Sequence, residues 1–166
     1  MITSMCNSYE HTIVITNRHL VQGDFLKQLE KVTKLQPHAL ILREKDLTDE
    51  AYENLAKKVL NLCEREEITC FLHTKIEIAR KTGCKNIHLS IPVLKGLSET
   101  EKKALTEDFC EISVSCHSME DVEAAMEGGA TQIILGTIFE TECKKGLQGK
   151  GVEFVREICR KCPLPV

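Results

Sequence analysis

Two short stretches carry side chains that could move a proton and hold an anion. The first, Ser115-Cys116-His117-Ser118, ends an apolar run with an imidazole. Imidazole both takes and returns a proton between about pH 5 and 8, so His117 is a candidate acid-base. The second, Phe139 to Gly146, reads FETECKKG and opens a polar, glycine-studded loop that runs to Gly151. In it, Thr141, Lys144, Lys145 and Gly146 bring a hydroxyl, two ammonium groups and an approachable backbone amide, the groups that bind phosphate or carboxylate. Glu140 is placed to position or assist a histidine. Arg43 and Lys45, within the charged tetrad Arg43-Glu44-Lys45-Asp46, are further candidate anion contacts. Plainer roles stand beside each of these: a strand-end histidine bonded to a helix cap, a solvated loop glutamate, solvated lysines. Cys116 neighbours His117, but strand alternation turns it the other way, toward packing. His73 and His88 each end or line an apolar run and read as site-lining or structural, with no carboxylate at metal-ligand spacing.

The elements that must position these residues alternate regularly. Residues 1–12 are polar and irregular and read as a leader, and one domain occupies 13–166. Ile13 to Thr16, Ala39 to Leu42, Ile68 to Leu72, Ile87 to Ile91, Ile112 to Ser115 and Ile133 to Leu135 are short apolar strands. Helices lie between them. Apolar residues from Phe25 to Leu35 repeat at helical spacing before Pro37, and Thr48, with Asp49 and Glu50 behind it, caps the next helix. Ile76 to Thr82 is a short helix closed by Gly83, Ser98 and Glu101 form a capping box, and Ser118 caps the helix Met119 to Glu127 before Gly128-Gly129. Pro92 is expected to end the fourth strand. A last helix spans roughly Val152 to Arg160, and Pro163 to Val166 reads as the start of a seventh strand.

Strands that are apolar throughout, alternating with helices, imply a parallel α/β sheet, whose ligands sit at the strand C-terminal ends. Six units of about 25 residues each favour a (β/α) TIM barrel over a doubly wound sheet. Eight such units need roughly 200 residues or more. The barrel is therefore expected to be C-terminally incomplete, with about six βα units and the start of a seventh strand, either truncated or closed through a partner. An open edge at the sixth strand makes a homodimer one expectation.

The 166-residue length suffices for one real core, and 42% hydrophobic with 28% charged residues is an ordinary globular composition. A net charge of −3 without a basic stripe argues against nucleic acid binding. No run approaches the ~20 apolar residues of a membrane span. Nine cysteines, with Cys159 and Cys162 the one close pair, read as reduced thiols of a cytoplasmic protein, and neither a zinc site nor a redox motif is expected.

The segment ILGTIFETECKKGLQGKGVEF resembles the TenI proteins, thiazole tautomerases within the thiamine-phosphate synthase/TenI superfamily of TIM barrels. ILREKDL, LHTKIEIA, NIHL and SVSCHSMEDVEAA follow in matching order, so the likeness covers roughly Ile13 to Val166. It implies thiamine biosynthesis: isomerisation of a thiazole carboxylate phosphate, with His117 moving the proton and Arg43, Thr141 and Lys144 holding the substrate. That reaction uses no metal or organic cofactor. One alternative is the synthase, which couples a pyrimidine diphosphate to thiazole phosphate with Mg²⁺. Synthases resemble one another in an Asn-Asp after the third strand and an acidic loop after the fourth, where this chain has His73-Thr74 and Leu89-Ser90-Ile91-Pro92. A non-catalytic thiazole phosphate-binding or regulatory protein is the other alternative.

Overall fold

The computed structural model describes residues 9–140, 146 and 148–166. Thr141, Lys144 and Lys145 lie outside the described residues, as does most of the leader. The chain divides into two compact units, Met1–Asn86 and Ile87–Val166.

In the first unit, β1 (Ile13–Ile15), β2 (Ala39–Leu42) and β3 (Thr69–His73) are parallel neighbours in chain order. All four residues of β2 are at most 1% exposed, as expected of a strand covered on both faces. Each buried Leu or Ile there contributes roughly 1.5–3 kcal/mol. The helices are α1 (Phe25–Thr33), α2 (Asp49–Arg65) and α3 (Ile76–Thr82). Along α2, Tyr52, Ala56, Val59, Leu62 and Cys63 are the buried face, at the spacing of a 3.6-residue period. The Thr48 hydroxyl accepts from the Ala51 N–H, completing the expected cap. Gly83 ends α3 at φ 72°, the left-handed conformation that glycine adopts without a Cβ clash. One 3-10 turn, Arg18–Leu20, was not legible in the sequence pattern.

In the second unit, β4 (Asn86–Ser90, whose first residue belongs to the other unit), β5 (Glu111–Cys116) and β6 (Gln132–Leu135) lie side by side in that order. β6 pairs parallel with β5, with Cys116 opposite Leu135. The helices are α4 (Ile91–Lys95), α5 (Glu99–Asp108), α6 (Met119–Glu127) and α7 (Gly151–Lys161). The Ser98–Glu101 capping box is present, and the Ser118 hydroxyl accepts from the Asp121 N–H. Pro92 does not simply end a strand. It sits in the first turn of α4, where its missing N–H would be unpaired in any helix. Pro163 to Val166 forms no strand, though the Pro165 carbonyl accepts from the β6 Ile133 N–H at 2.9 Å. Among the described residues no helix is long and apolar enough to cross a membrane.

Candidate functional site

His117 follows β5 directly and is exposed, whereas Cys116 before it is fully buried. Three elements hold the histidine. Its backbone N–H donates to Asp121 Oδ2 of α6 at 2.8 Å. Its carbonyl accepts from Lys150 Nζ, at the entrance of α7. Its ring Nδ1 lies 2.6 Å from the Gly136 carbonyl, just past β6. A carbonyl oxygen only accepts, so Nδ1 carries a hydrogen, and in the neutral ring the lone pair lies on Nε2. The fold thus presents His117 as the tautomer whose outer nitrogen can take a proton. Burial pushes the Cys116 thiol up to about 12, which suits packing and not nucleophilic attack.

The loop after β6 is closed at its neck. Lys150 N–H donates to Thr137 C=O at 3.0 Å and Gly151 N–H to Ile138 C=O at 2.9 Å. A Cβ at Gly149 would lie 2.6 Å from the Ile138 carbonyl and 2.9 Å from Phe139 Cα, so only glycine fits there. Glu140 and Gly146 are exposed on this loop. The Lys150 ammonium stands 4.7 Å from the Phe154 ring centroid, a cation–π distance. Lys150 was not among the sequence candidates. The GKG string at 149–151 was its only signal.

At the end of β2 in the first unit, Arg43 is half-buried and Lys45 exposed. The buried residue of the tetrad is Glu44, 3% exposed. Its carboxylate accepts from the Thr16 hydroxyl at 2.7 Å, the Arg18 N–H at 3.1 Å and Arg18 Nη1 at 3.1 Å. Thr16 Oγ1 in turn accepts from the Arg43 N–H at 2.9 Å, fixing the backbone from which Arg43 projects. Arg18 also pairs with Asp46, and that hydrogen bond holds the Asp46 carboxyl well below the usual carboxylate range. Thr16, Arg18 and Glu44 were missed because their partners lie 26 or more positions away in sequence.

Tyr52 joins two strand ends in this unit. Its hydroxyl donates to Leu42 C=O at 2.6 Å and accepts from His73 N–H at 3.1 Å. His73 is itself 7% exposed, with Nδ1 3.2 Å from the Thr74 hydroxyl. In the second unit, His88 is 3% exposed and lies between two same-face serines of β5, Nδ1 2.9 Å from Ser113 Oγ and Nε2 2.8 Å from Ser115 Oγ. Both histidines are built into the framework.

Comparison with known proteins adds a family match, two relatives and one solved structure. Residues 12–166 match the family model TMP-TENI, described as thiamine monophosphate synthase. Thiamine-phosphate synthase of Clostridium tetani is 25% identical over 154 residues, covering 92% of this chain and 72% of the relative. Thiamine-phosphate synthase of Clostridium acetobutylicum is 26% identical over 161 residues, covering 95% and 74%. Among solved structures, thiamine phosphate pyrophosphorylase from Pyrococcus furiosus superposes with a TM-score of 0.79 at 19% identity, over 96% of this chain and 74% of that one. At that identity the likeness speaks for the fold alone, and it supports the parallel α/β reading. With nearly its whole length matched by the family model, the chain belongs to the thiamine monophosphate synthase (TMP-TENI) family.

Proposed function

We propose that the chain isomerises a phosphorylated thiazole carboxylate in thiamine biosynthesis by proton transfer at His117. Family membership supports the thiamine role. The isomerase reading is carried by one observation, the Nδ1–H bond to Gly136, which in the neutral ring of this exposed strand-end histidine puts the lone pair on Nε2. Tautomerisation removes a proton from one carbon and returns it to another, so one group must accept and then donate. Nε2 accepts, the ring becomes imidazolium, and the same N–H gives the proton back. Lys150 and Asp121 keep the residue in place during the exchange. In this proposal Glu140 assists the ring, and Thr141, Lys144 and Gly146 bind the substrate's anionic groups. Arg43 and Lys45 are proposed as anion contacts of the first unit, each open to test by its own substitution. The reaction as written needs no metal or organic cofactor.

The printed names of the relatives favour a second reading, a thiamine-phosphate synthase, over the isomerase. Such an enzyme joins a pyrimidine diphosphate to thiazole phosphate with Mg²⁺, which takes oxygen ligands, carboxylates foremost. The two positions where the synthases carry those ligands do not fit the ion here. β3 ends at His73, where the Thr74 hydroxyl turns back onto the His73 carbonyl at 2.8 Å, and Ser90 leads straight into α4.

Two assays on the purified protein decide between these readings. With the thiazole tautomer, absorbance of the aromatic thiazole rises, and His117→Ala slows the rise by about 10²–10⁴. With pyrimidine diphosphate and thiazole phosphate, no thiamine phosphate forms, with or without Mg²⁺. Mg²⁺-dependent thiamine phosphate would overturn the isomerase in favour of the synthase. Thiazole phosphate binding with no turnover in either assay would make the chain a binding protein.

A further inference from the structure

Three cysteines carried by three successive elements converge within the first unit. Cys63 lies in the last turn of α2, Cys70 is the second residue of β3, and Cys84 follows the glycine that ends α3. They are 1%, 5% and 6% exposed, yet all three line one cavity of about 360 Å³, together with Lys85 and Asn86. The side chains of Cys63 and Cys70 act on each other, lowering the Cys63 thiol and raising that of Cys70. The backbone fixes that pair, because Ile68 N–H donates to Cys63 C=O at 2.8 Å and draws the Glu64–Thr69 connection into a tight turn. Asn86 Nδ2 donates to Cys70 C=O at 3.2 Å. Cys84 is tied elsewhere, its thiol 3.2 Å from the Asn86 carbonyl and 3.5 Å from the Cys70 carbonyl. Among the described residues no group of three or more His, Cys, Asp or Glu could hold a metal ion, so the trio is not a metal site.

We propose that Cys63 and Cys70 form a peroxide-responsive dithiol that closes to an intrachain disulfide. The cavity is roomy for so small an oxidant, since one water occupies about 30 Å³ of liquid. The Cys63 thiolate attacks one oxygen of hydrogen peroxide and the O–O bond breaks. Cys63 becomes a sulfenic acid, and the departing hydroxide takes up a proton to leave as water. The Cys70 sulfur then attacks the sulfenic sulfur, the S–O bond breaks, and a second water leaves with the Cys70 proton. Two thiols and one peroxide give one disulfide and two waters.

Cys63 is the attacking sulfur because its interaction with Cys70 draws its thiol below the ordinary range, while the same interaction raises that of Cys70. The negative end of α2 opposes an anion at Cys63, and Cys70 is the compensating partner. Cys84 is the bystander. Burial raises its thiol, the main effect, and its hydrogen is spent on carbonyls.

The folded, fully reduced chain is treated with hydrogen peroxide, then denatured with a thiol-blocking maleimide, and its peptides are mapped by mass. Expected is a Cys63–Cys70 linked pair, about 2 Da lighter than the two thiols and reversed by dithiothreitol. Cys84→Ala retains the link, and Cys70→Ser stops at a sulfenic acid on Cys63 that dimedone traps. The proposal is overturned if the wild-type chain keeps Cys63 and Cys70 as free thiols while the exposed Cys110 and Cys159 oxidise. It is equally overturned if the linked pair is Cys70–Cys84. Mapping of the wild-type chain keeps the test independent of whether a variant folds, and none of its outcomes depends on the isomerase reading.

Discussion

Replacing Tyr52 by Phe removes one oxygen and leaves the ring packed where it is, at 1% exposure. That oxygen serves two backbone groups, Leu42 C=O at 2.6 Å and His73 N–H at 3.1 Å. Burial holds its phenol well above the ordinary value, so it is a neutral hydroxyl that both donates and accepts. Each hydrogen bond contributes about 0.5–1.5 kcal/mol net, and each buried group stranded by its loss costs about 1–3 kcal/mol. The shape of the core is unchanged, so no cavity cost is added. The Leu42 oxygen has a second lone pair, which softens its share. Tyr52→Phe should therefore lower stability by about 2–4 kcal/mol. Urea unfolding measures it, with an unchanged slope showing that the two chains expose the same surface. A loss below about 0.5 kcal/mol would refute the reasoning, because it would mean that the two strand ends do not need the hydroxyl. The consequence should reach function through Arg43, which follows Leu42 in the chain.

Gly149→Ala places a Cβ against the Ile138 carbonyl and Phe139 backbone, so the neck of the loop must open. Turnover should fall at least tenfold and urea stability by about 1–3 kcal/mol as the two neck hydrogen bonds open, and equal activity would show that the loop neck is not needed. Cys116 makes a pH prediction. Its thiol is raised by burial from an ordinary 9.0 to about 12, so the folded chain keeps a proton that the unfolded chain releases. That stabilisation is complete below about pH 9 and declines as pH rises toward about 12. Unfolding under reducing conditions at pH 8 and pH 10 should show the decline, and Cys116→Ala should flatten it. An unchanged slope in that variant would place the effect elsewhere, with Cys70 and Cys84, whose thiols are also raised.

The local periodicities were enough to locate most elements of this chain. Period-3.6 burial along α2, the Thr48, Ser98 and Ser118 caps and the Gly83 stop all depend on neighbours within a few residues, and they appear where the sequence places them. Pro92 misled because the same residue that cannot continue a strand is favoured in a helix's first turn, and β4 passes into α4 without a loop. His117 was legible as a strand-end imidazole, and the resemblance to TenI proteins supplied a role for it. Its tautomer was not legible. That depends on the Gly136 carbonyl, 19 positions along the chain and brought beside the ring only by β5–β6 pairing. Glu44 shows the converse. In sequence it looked like part of a charged surface tetrad, and it is the buried carboxylate on which Thr16 and Arg18 converge. By itself, then, the sequence determined the alternating parallel α/β order, the helix caps and the residue types at the strand ends, because each follows from short-range sterics and hydrogen bonding. Only the tertiary structure decided which nitrogen of His117 bonds the Gly136 carbonyl, why Gly149 admits no side chain, and that Cys63, Cys70 and Cys84 share one cavity. Those are properties of atoms brought together by the packing of separate elements, and residue spacing carries no information about them.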